Sequence, residues 1–335
     1  MALRPPAGAL CISTVDMHTG GEPLRIVTDG LPELQGRSVL EKRRCFRERF
    51  DHLRTGLMFE PRGHADMYGA VLTPAADADF DVFFLHNEGY STMCGHAIIA
   101  LTRFVIETGL TDKSDVSFNV PAGRIEARSH RDSSGKILRT SFHNVPSFVY
   151  CRDESLQVDG LGTVRFDVAY GGAFYACVDA RALGLELTAA HYARLIDAGR
   201  RVKHAVMAAM PIVHPFESEL SFLYGTIFIA PPHEPKNHSR NVCIFADGEV
   251  DRSPTGSGVS ARAALHHARG ELAANETIAI ESILGSTMTV RVAATTKFGP
   301  HDAVIPEVSG TAHFTGRHEF WFDPADPLAN GFIFR

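Results

Sequence analysis

The stretch VDMHTGGEPLRIV at residues 15–27 has apolar and β-branched residues on both sides of a glycine pair, a pattern typical of a strand, a turn and a second strand. A counterpart, FDVAYGGAFYACV, occupies residues 166–178 and has its glycine pair at the same position. Repetition of such a unit indicates that the chain is built from two similar halves.

The features that follow each glycine pair support this duplication. EGYSTMCGHAIIAL at residues 88–101 and VDRSPTGSGVSARAAL at residues 250–265 are glycine-containing loops, and each opens into a helix of small and apolar residues. The first glycine of each pair precedes Cys94 by 74 residues and Thr255 by 84 residues, respectively. Because these landmarks recur in the same order at similar spacing, we expect the halves to share one architecture.

A polar segment with two glycines, residues 153–162, lies between the halves. We therefore predict an N-terminal domain over residues 1–155 that carries Cys94. A C-terminal domain that carries Thr255 is predicted over residues 156–335. Its C-terminal tail could pack back on the first domain. Strand patterns dominate both halves. The predicted helices are 38–50, 95–108, 188–210 and 256–268, and the predicted strands are 69–73, 82–86, 116–120, 124–129, 222–229, 241–245, 277–281 and 287–292.

Composition and charge exclude several classes of protein. The 335 residues include 33 Lys and Arg against 39 Asp and Glu, a net charge of −6, and no basic segment is long enough to indicate a nucleic-acid site. No apolar run reaches the roughly 18 residues of a membrane span, and the N-terminus lacks the apolar core of a secretory signal. Six scattered cysteines without a Cys-x-x-Cys pattern favour a reduced, cytoplasmic protein.

The two helix starts are the candidate functional elements. A helix N-terminus presents unpaired N–H groups and a partial positive charge, so it binds a carboxylate without help from Lys or Arg. Gly95 and Gly256 lack side chains, which would let an anion approach the backbone. Two such termini facing each other would hold one small carboxylate. Cys94 lies at the first start, where the helix is expected to lower the pKa of its thiol and favour the reactive thiolate.

Two other interpretations of these motifs are weaker. Cys94 and His96 could be half of a metal site, but no second pair with ligand spacing accompanies them, and no metal is expected. Residues 256–261 fit the G-x-G-x-x-A fingerprint of dinucleotide sites, which must directly follow a strand. The polar segment 251–255 intervenes, so no nucleotide cofactor is expected either.

Three motifs together resemble the proline racemase family: HTGGEP at 18–23, MCGH at 93–96 and DRSPTGSG at 251–258. The resemblance covers nearly the whole chain. It implies an α/β (α+β), diaminopimelate-epimerase-like fold with two pseudo-symmetric domains, each a sheet wrapped around a central helix, and an active site in the cleft between them. It also implies cofactor-independent chemistry at the α-carbon of a proline-type amino acid, with Asp251 and His96 contacting the ring nitrogen.

One position departs from the racemases of the family, which have a cysteine in both motifs. Here the first is Cys94 and the second is Thr255, a pair similar to that of the trans-3-hydroxy-L-proline dehydratase branch. Racemisation needs an acid and a base on opposite faces of the carbon, and a threonine hydroxyl is too weak a base for that role. The resemblance therefore implies a hydro-lyase that forms Δ1-pyrroline-2-carboxylate, with Cys94 as the base and Thr255 on the opposite face. The Cys94 thiol that results is placed to protonate the leaving hydroxyl, so Cys94 is also a candidate for the acid, whose identity the sequence leaves open.

The remaining site residues follow from the same mechanism. The backbone N–H groups of Gly95, Gly256 and Ser257 are expected to hold the substrate carboxylate as charge develops on it. A proline racemase or 4-hydroxyproline 2-epimerase and an inactive protein that binds proline-like ligands are the alternatives. His18 is given a structural hydrogen bond rather than a catalytic role. The sequence leaves the oligomeric state open, with a homodimer as one alternative.

Overall fold

The computed structural model describes residues 4–334, which form mostly strands with four α-helices. The helices are α1 (Val39–Met58), α2 (Gly95–Glu107), α3 (Tyr192–Ala209) and α4 (Gly256–Ala268). The strands are β1 (Leu10–Thr19), β2 (Glu22–Asp29), β3 (Tyr68–Pro74), β4 (Phe80–His86), β5 (Gly89–Ser91), β6 (Asp115–Val120), β7 (Gly123–Arg131), β8 (Ile137–His143), β9 (Ser147–Val158), β10 (Gly162–Tyr170), β11 (Phe174–Asp179), β12 (Leu223–Ala230), β13 (Ser239–Phe245), β14 (Glu249–Val250), β15 (Thr277–Glu281), β16 (Thr287–Phe298), β17 (His301–Gly310) and β18 (Ala312–Phe322).

Strand pairing in the first half forms a ring around α2. The order is β1–β2–β3–β4–β6–β7–β8, with β2–β3 and β4–β6 parallel and the other pairs antiparallel. The ring closes through β17, which pairs with β8, and its successor β18, which pairs with β1. Helix α2 is apolar on nearly all faces. Because such a helix must be buried on every side, it lies inside the wrapped sheet.

The second half repeats this pairing order around α4. Here the sequence of pairs is β10–β11–β12–β13–β15–β16–β17, again with the second and fourth pairs parallel, and β9 closes the ring by pairing with both β10 and β17. Each ring is therefore completed by strands from the other half of the sequence, β17 and β18 in the first ring and β9 in the second.

The predicted boundary at 155/156 lies inside β9 and not in a linker. The polar residues around this boundary were expected to form a linker between domains. They are instead exposed positions along a strand that continues to Val158. The tail does return to the first half, since β18 pairs with β1 from end to end. The division into domains 1–155 and 156–335 stays a prediction.

Most predicted elements are present, with differences at their ends. Helices α2 and α4 begin at Gly95 and Gly256 as predicted. Helix α1 starts after Ser38, which forms a capping box. It was predicted to end at Phe50, but the non-helical angles there (φ −133°, ψ 17°) mark only a kink, and the helix continues to Met58. No helix within residues 4–334 is both long enough and apolar enough to cross a membrane.

Candidate active site

The N-termini of α2 and α4 meet head to head at their first residues. A Cβ atom built on Gly95 would lie 2.6 Å from the Cα of Gly256, and one built on Gly256 would lie 2.7 Å from the Cα of Gly95. The glycines were expected to admit an anion to the backbone; in the structure they are also required for the two helices to touch. The contact places the partial positive charges of both helix dipoles at one point.

Cys94 immediately precedes α2, in extended conformation, with its side chain only 4% exposed. Its Sγ lies 3.1 Å from Nδ1 of His96. Burial raises the pKa of the thiol well above its usual value, and nearby Asp251 adds to the increase. The backbone N–H of Ala97 and the hydroxyl of Tyr68 lower the pKa but do not outweigh burial. The expectation that the helix start lowers the thiol pKa is therefore wrong in its net direction.

His96 is a buried, neutral imidazole. Burial lowers its pKa to about 3, and the ring interacts with the backbone carbonyl of Pro23. A neutral ring that donates its N–H to this carbonyl presents its second nitrogen to the Cys94 sulfur as an acceptor. The ring also packs edge to face on Tyr68, with centroids 4.8 Å apart. Because the backbone carbonyl of His96 accepts a hydrogen bond from Thr19 Oγ1 at 2.8 Å, the residue is fixed on several sides.

Thr255 takes the equivalent place before α4, but in a strained conformation. Its φ of 68° and ψ of 89° lie in the left-handed region, which a β-branched residue rarely adopts. Its Oγ1 is buried and makes no hydrogen bond of good geometry within the described structure. The hydroxyl nevertheless lies close enough to Asp251 and Cys243 to lower the pKa of both. Strain and an unsatisfied polar atom at one residue are typical of functional sites.

Asp251 and Ser257 lie on either side of Thr255 in the sequence, and both are buried. One carboxylate oxygen of Asp251 accepts a hydrogen bond from Ser253 N–H at 2.7 Å, while burial raises the pKa of the carboxyl to about 6. The hydroxyl of Ser257 lies 2.7 Å from that of Tyr175. The backbone N–H groups at the start of α4 have no partner in their own helix, so they remain donors for a ligand.

Glu22 belongs to the HTGGEP motif at 18–23 but is not among the predicted site residues. Glu22 is fully buried, and its Oε2 accepts a hydrogen bond from the N–H of Arg252 at 2.7 Å. Its charge raises the pKa of Cys94, and the charge of Asp251 in turn raises the pKa of Glu22. An acidic residue directly after a glycine pair, at the first position of a strand whose next residues are mostly buried, is the signal that could have identified it. His18, in contrast, accepts a hydrogen bond from Gly21 N–H at 3.2 Å.

The predicted site residues thus come together, since Cys94, His96, Thr255 and Asp251 surround the contact between Gly95 and Gly256. Over the described range 4–334, no group of three or more His, Cys, Asp and Glu side chains could hold a metal ion.

A family model described as proline racemase matches residues 14–333, nearly the whole chain. This chain belongs to the proline racemase family. The family assigned from the sequence motifs is confirmed.

Two curated members of the family are similar over almost their full length. A protein of Colwellia psychrerythraea, named trans-3-hydroxy-L-proline dehydratase, is 52% identical over 332 residues, which cover 97% of this chain and 93% of that protein. A human protein of the same name is 47% identical over 339 residues, 98% and 96% of the two chains.

Among solved structures, a hydroxyproline epimerase from Agrobacterium vitis with bound trans-4-hydroxy-L-proline superposes with a TM-score of 0.91. It is 30% identical, and the match covers 99% of this chain and 97% of that one. This likeness confirms the predicted α/β fold class for this member of the proline racemase family.

Proposed function

We propose that this protein is a hydro-lyase that converts trans-3-hydroxy-L-proline to Δ1-pyrroline-2-carboxylate without a cofactor. The observation that carries the proposal is the pair of side chains at the two facing helix starts, the thiol of Cys94 and the hydroxyl of Thr255. Family members that are about half identical to this chain bear the name of this activity.

The stereochemistry of the substrate explains why one thiol is sufficient. In trans-3-hydroxy-L-proline the 3-hydroxyl and the α-hydrogen are both trans to the carboxylate, so they share one face of the ring. A thiolate at Cys94 on that face removes the α-proton. The electron pair of the broken C–H bond forms the C2–C3 double bond, and the 3-hydroxyl leaves with a proton as water. The enamine that remains tautomerises to Δ1-pyrroline-2-carboxylate.

The helix starts are suited to bind the substrate carboxylate. The N–H groups of Gly95, Gly256 and Ser257 converge where both helix dipoles are positive, and negative charge moves onto the carboxylate as the α-proton leaves. Such fixed donors in a buried site stabilise the carbanionic transition state by several kcal/mol, roughly 3 for each donor removed in comparable cases. Ser257 has its hydroxyl fixed by Tyr175, which orients the turn.

The ring nitrogen of the substrate is a secondary ammonium with two N–H donors. Asp251 supplies a buried carboxylate for one of them. The His96 nitrogen that accepts from the Cys94 thiol becomes free to accept the other once the thiol has ionised. The same ammonium group also explains how the buried Cys94 thiol ionises. A positive charge beside Cys94 lowers the pKa that burial alone raises, so substrate binding itself favours the thiolate.

Racemisation of proline or 2-epimerisation of 4-hydroxyproline is the alternative that the solved relatives suggest, at 30% identity. Thr255 argues against it, because its hydroxyl has a pKa far above that of a thiol and is no substitute for a second thiolate. A protein that only binds proline-like ligands would have no use for the Cys94–His96 contact of 3.1 Å.

The deciding experiment compares three substrates with the purified protein. We expect trans-3-hydroxy-L-proline to yield Δ1-pyrroline-2-carboxylate, trapped with 2-aminobenzaldehyde and measured by absorbance. L-Proline and trans-4-hydroxy-L-proline should show little inversion by chiral chromatography. Rapid inversion of either one without pyrroline formation would replace the dehydratase proposal with the epimerase.

We place this enzyme in the cytoplasm, in keeping with six cysteines that are all free thiols. Its partner is the small-molecule substrate. A homodimer is the oligomeric state we propose, and light scattering on the purified protein tests it directly.

A further inference from the structure

Glu22 occupies the junction between the two halves of the site. The turn that precedes it packs against the loop before α4, since a Cβ on Gly21 would lie 3.6 Å from the Cβ of Arg252. On the other side, Thr19 bonds to the backbone of His96 at 2.8 Å, and the carbonyl of Pro23 contacts the His96 ring. Glu22 is thus held between the residue beside Cys94 and the loop that carries Asp251.

The carboxyl group of Glu22 is only half satisfied. Oε2 accepts the hydrogen bond from Arg252 N–H, whereas Oε1 is buried and has no hydrogen-bond partner within the described structure. Burial of an unbonded carboxyl oxygen costs free energy, and its place between His96 and the loop of Asp251 indicates that a ligand satisfies it. Thr255 Oγ1, on the opposite helix start, is the second atom of this kind in the site.

The environment of Glu22 favours the protonated form of its carboxyl group, which is the form that a proton donor requires. Burial raises the pKa of its carboxyl well above the usual value and the negative charge of Asp251 raises it further, which together outweigh the lowering by the charge and the backbone N–H of Arg252. Two buried carboxyls that repel each other do not both ionise readily, so one of them keeps its proton. Asp251, with the lower pKa of about 6, is the one that ionises and pairs with the substrate ammonium.

We propose that Glu22 is a further catalytic residue, the acid that protonates the 3-hydroxyl as it leaves. This rests on the dehydratase function proposed above. Cys94 takes the α-proton, the C–H electron pair forms the C2–C3 bond, and the C3–O bond breaks. The oxygen leaves as water with the proton of Glu22. A proton then returns from the Cys94 thiol to the Glu22 carboxylate, which restores the starting state.

The test separates leaving-group protonation from every other step. Glu22→Gln keeps an oxygen for the Arg252 N–H but has no proton to transfer. We expect kcat for dehydration of trans-3-hydroxy-L-proline to fall about 100- to 1,000-fold, the usual range for loss of a general acid. Trans-3-chloro-L-proline loses chloride, which needs no proton, so its elimination in the variant should stay within about threefold of wild type.

A matched control is Glu249→Gln. Glu249 is also fully buried and accepts a hydrogen bond from Glu88 N–H at 3.0 Å. Its substitution should leave the ratio of chloride to water elimination unchanged, even where it lowers stability.

Three results would decide against the proposal or its basis. Near-normal dehydration by Glu22→Gln, or equal loss with both substrates in a folded variant, overturns the acid role of Glu22. If wild type eliminates chloride but never water, the dehydratase function itself fails, and this outcome is distinct from the other two.

Discussion

The guanidinium of Arg252 lies 2.6 Å from the carboxylate of Asp66 and so ties the loop before α4 to the first half of the chain. The same carboxylate accepts a hydrogen bond from the hydroxyl of Tyr192 at 2.6 Å. Since Arg252 is adjacent to Asp251, this partly buried ion pair holds in place the loop whose carboxylate is proposed to bind the ring nitrogen.

Asp66→Asn tests this link. The variant leaves the charge of Arg252, whose side chain is 27% exposed, without its buried partner, and we expect a loss of about 1–3 kcal/mol in the free energy of unfolding. KM for trans-3-hydroxy-L-proline should rise about tenfold, with a smaller change in kcat, because binding depends on Asp251 being in place. Urea unfolding and steady-state kinetics measure both. An unchanged KM in a folded variant would show that the ion pair does not position Asp251.

Gly95→Ala tests the contact between the helix starts. An added Cβ would lie 2.6 Å from backbone of α4, which cannot move aside as a flexible side chain would. We expect a loss of about 1–3 kcal/mol in stability and at least a 100-fold loss in kcat/KM, because the carboxylate-binding N–H groups separate. Gly316→Ala is the control, since its Cβ would meet only the ring of His318 at 3.2 Å.

Cys94→Ser should remove activity without unfolding the protein. The serine hydroxyl has a pKa far above that of a thiol, so almost no base exists near neutral pH, and we expect kcat to fall by at least about 1,000-fold. Circular dichroism and thermal unfolding report on the fold, and the trapped pyrroline reports on activity. Cys177→Ser is the matched buried control and should leave turnover largely intact. Comparable turnover in the Cys94 variant would remove this residue from the mechanism.

Asp251→Asn should make the protein more stable but less active. Burial raises the pKa of Asp251 in the folded state to about 6, so the folded state binds a proton more tightly than the unfolded state and its stability falls as pH rises from about 4 to 6. At pH 7 the ionised carboxylate therefore costs about 2–3 kcal/mol, which the variant avoids. We expect this advantage to shrink to about 1 kcal/mol at pH 4.5. A stability difference that is independent of pH would contradict the raised pKa.

Thr255→Cys should add exchange on the second face of the ring. A thiol there supplies the missing acid or base, so the variant should incorporate deuterium from heavy water and invert L-proline or 4-hydroxyproline at a measurable rate. Burial opposes ionisation of this thiol as it does for Cys94, so the gain should be small. Dehydration should fall but persist. Chiral chromatography is the readout, and absence of inversion in a folded, substrate-binding variant would place Thr255 elsewhere than opposite Cys94.

The sequence predicted the parts of the site that depend on local pattern. Gly95 and Gly256 start their helices as expected, because glycine-rich loops before apolar helices have few other interpretations. The sequence did not predict the features of the site that depend on burial by segments distant in the chain. The pKa of the Cys94 thiol is raised rather than lowered because the folded chain buries it. Glu22 was missed because its contact, Arg252, lies 230 residues further along the chain.

The pairing of β18 with β1 has a consequence for synthesis of the protein. The strand that completes the ring around α2 is translated long after the rest of that ring. While β18 is still in the ribosomal exit tunnel, β1 presents an unpaired edge, and exposed edges of this kind favour aggregation. The first half therefore cannot finish folding as the nascent chain emerges, and chaperones that hold incomplete chains should matter more to this protein than to one whose domains close in order.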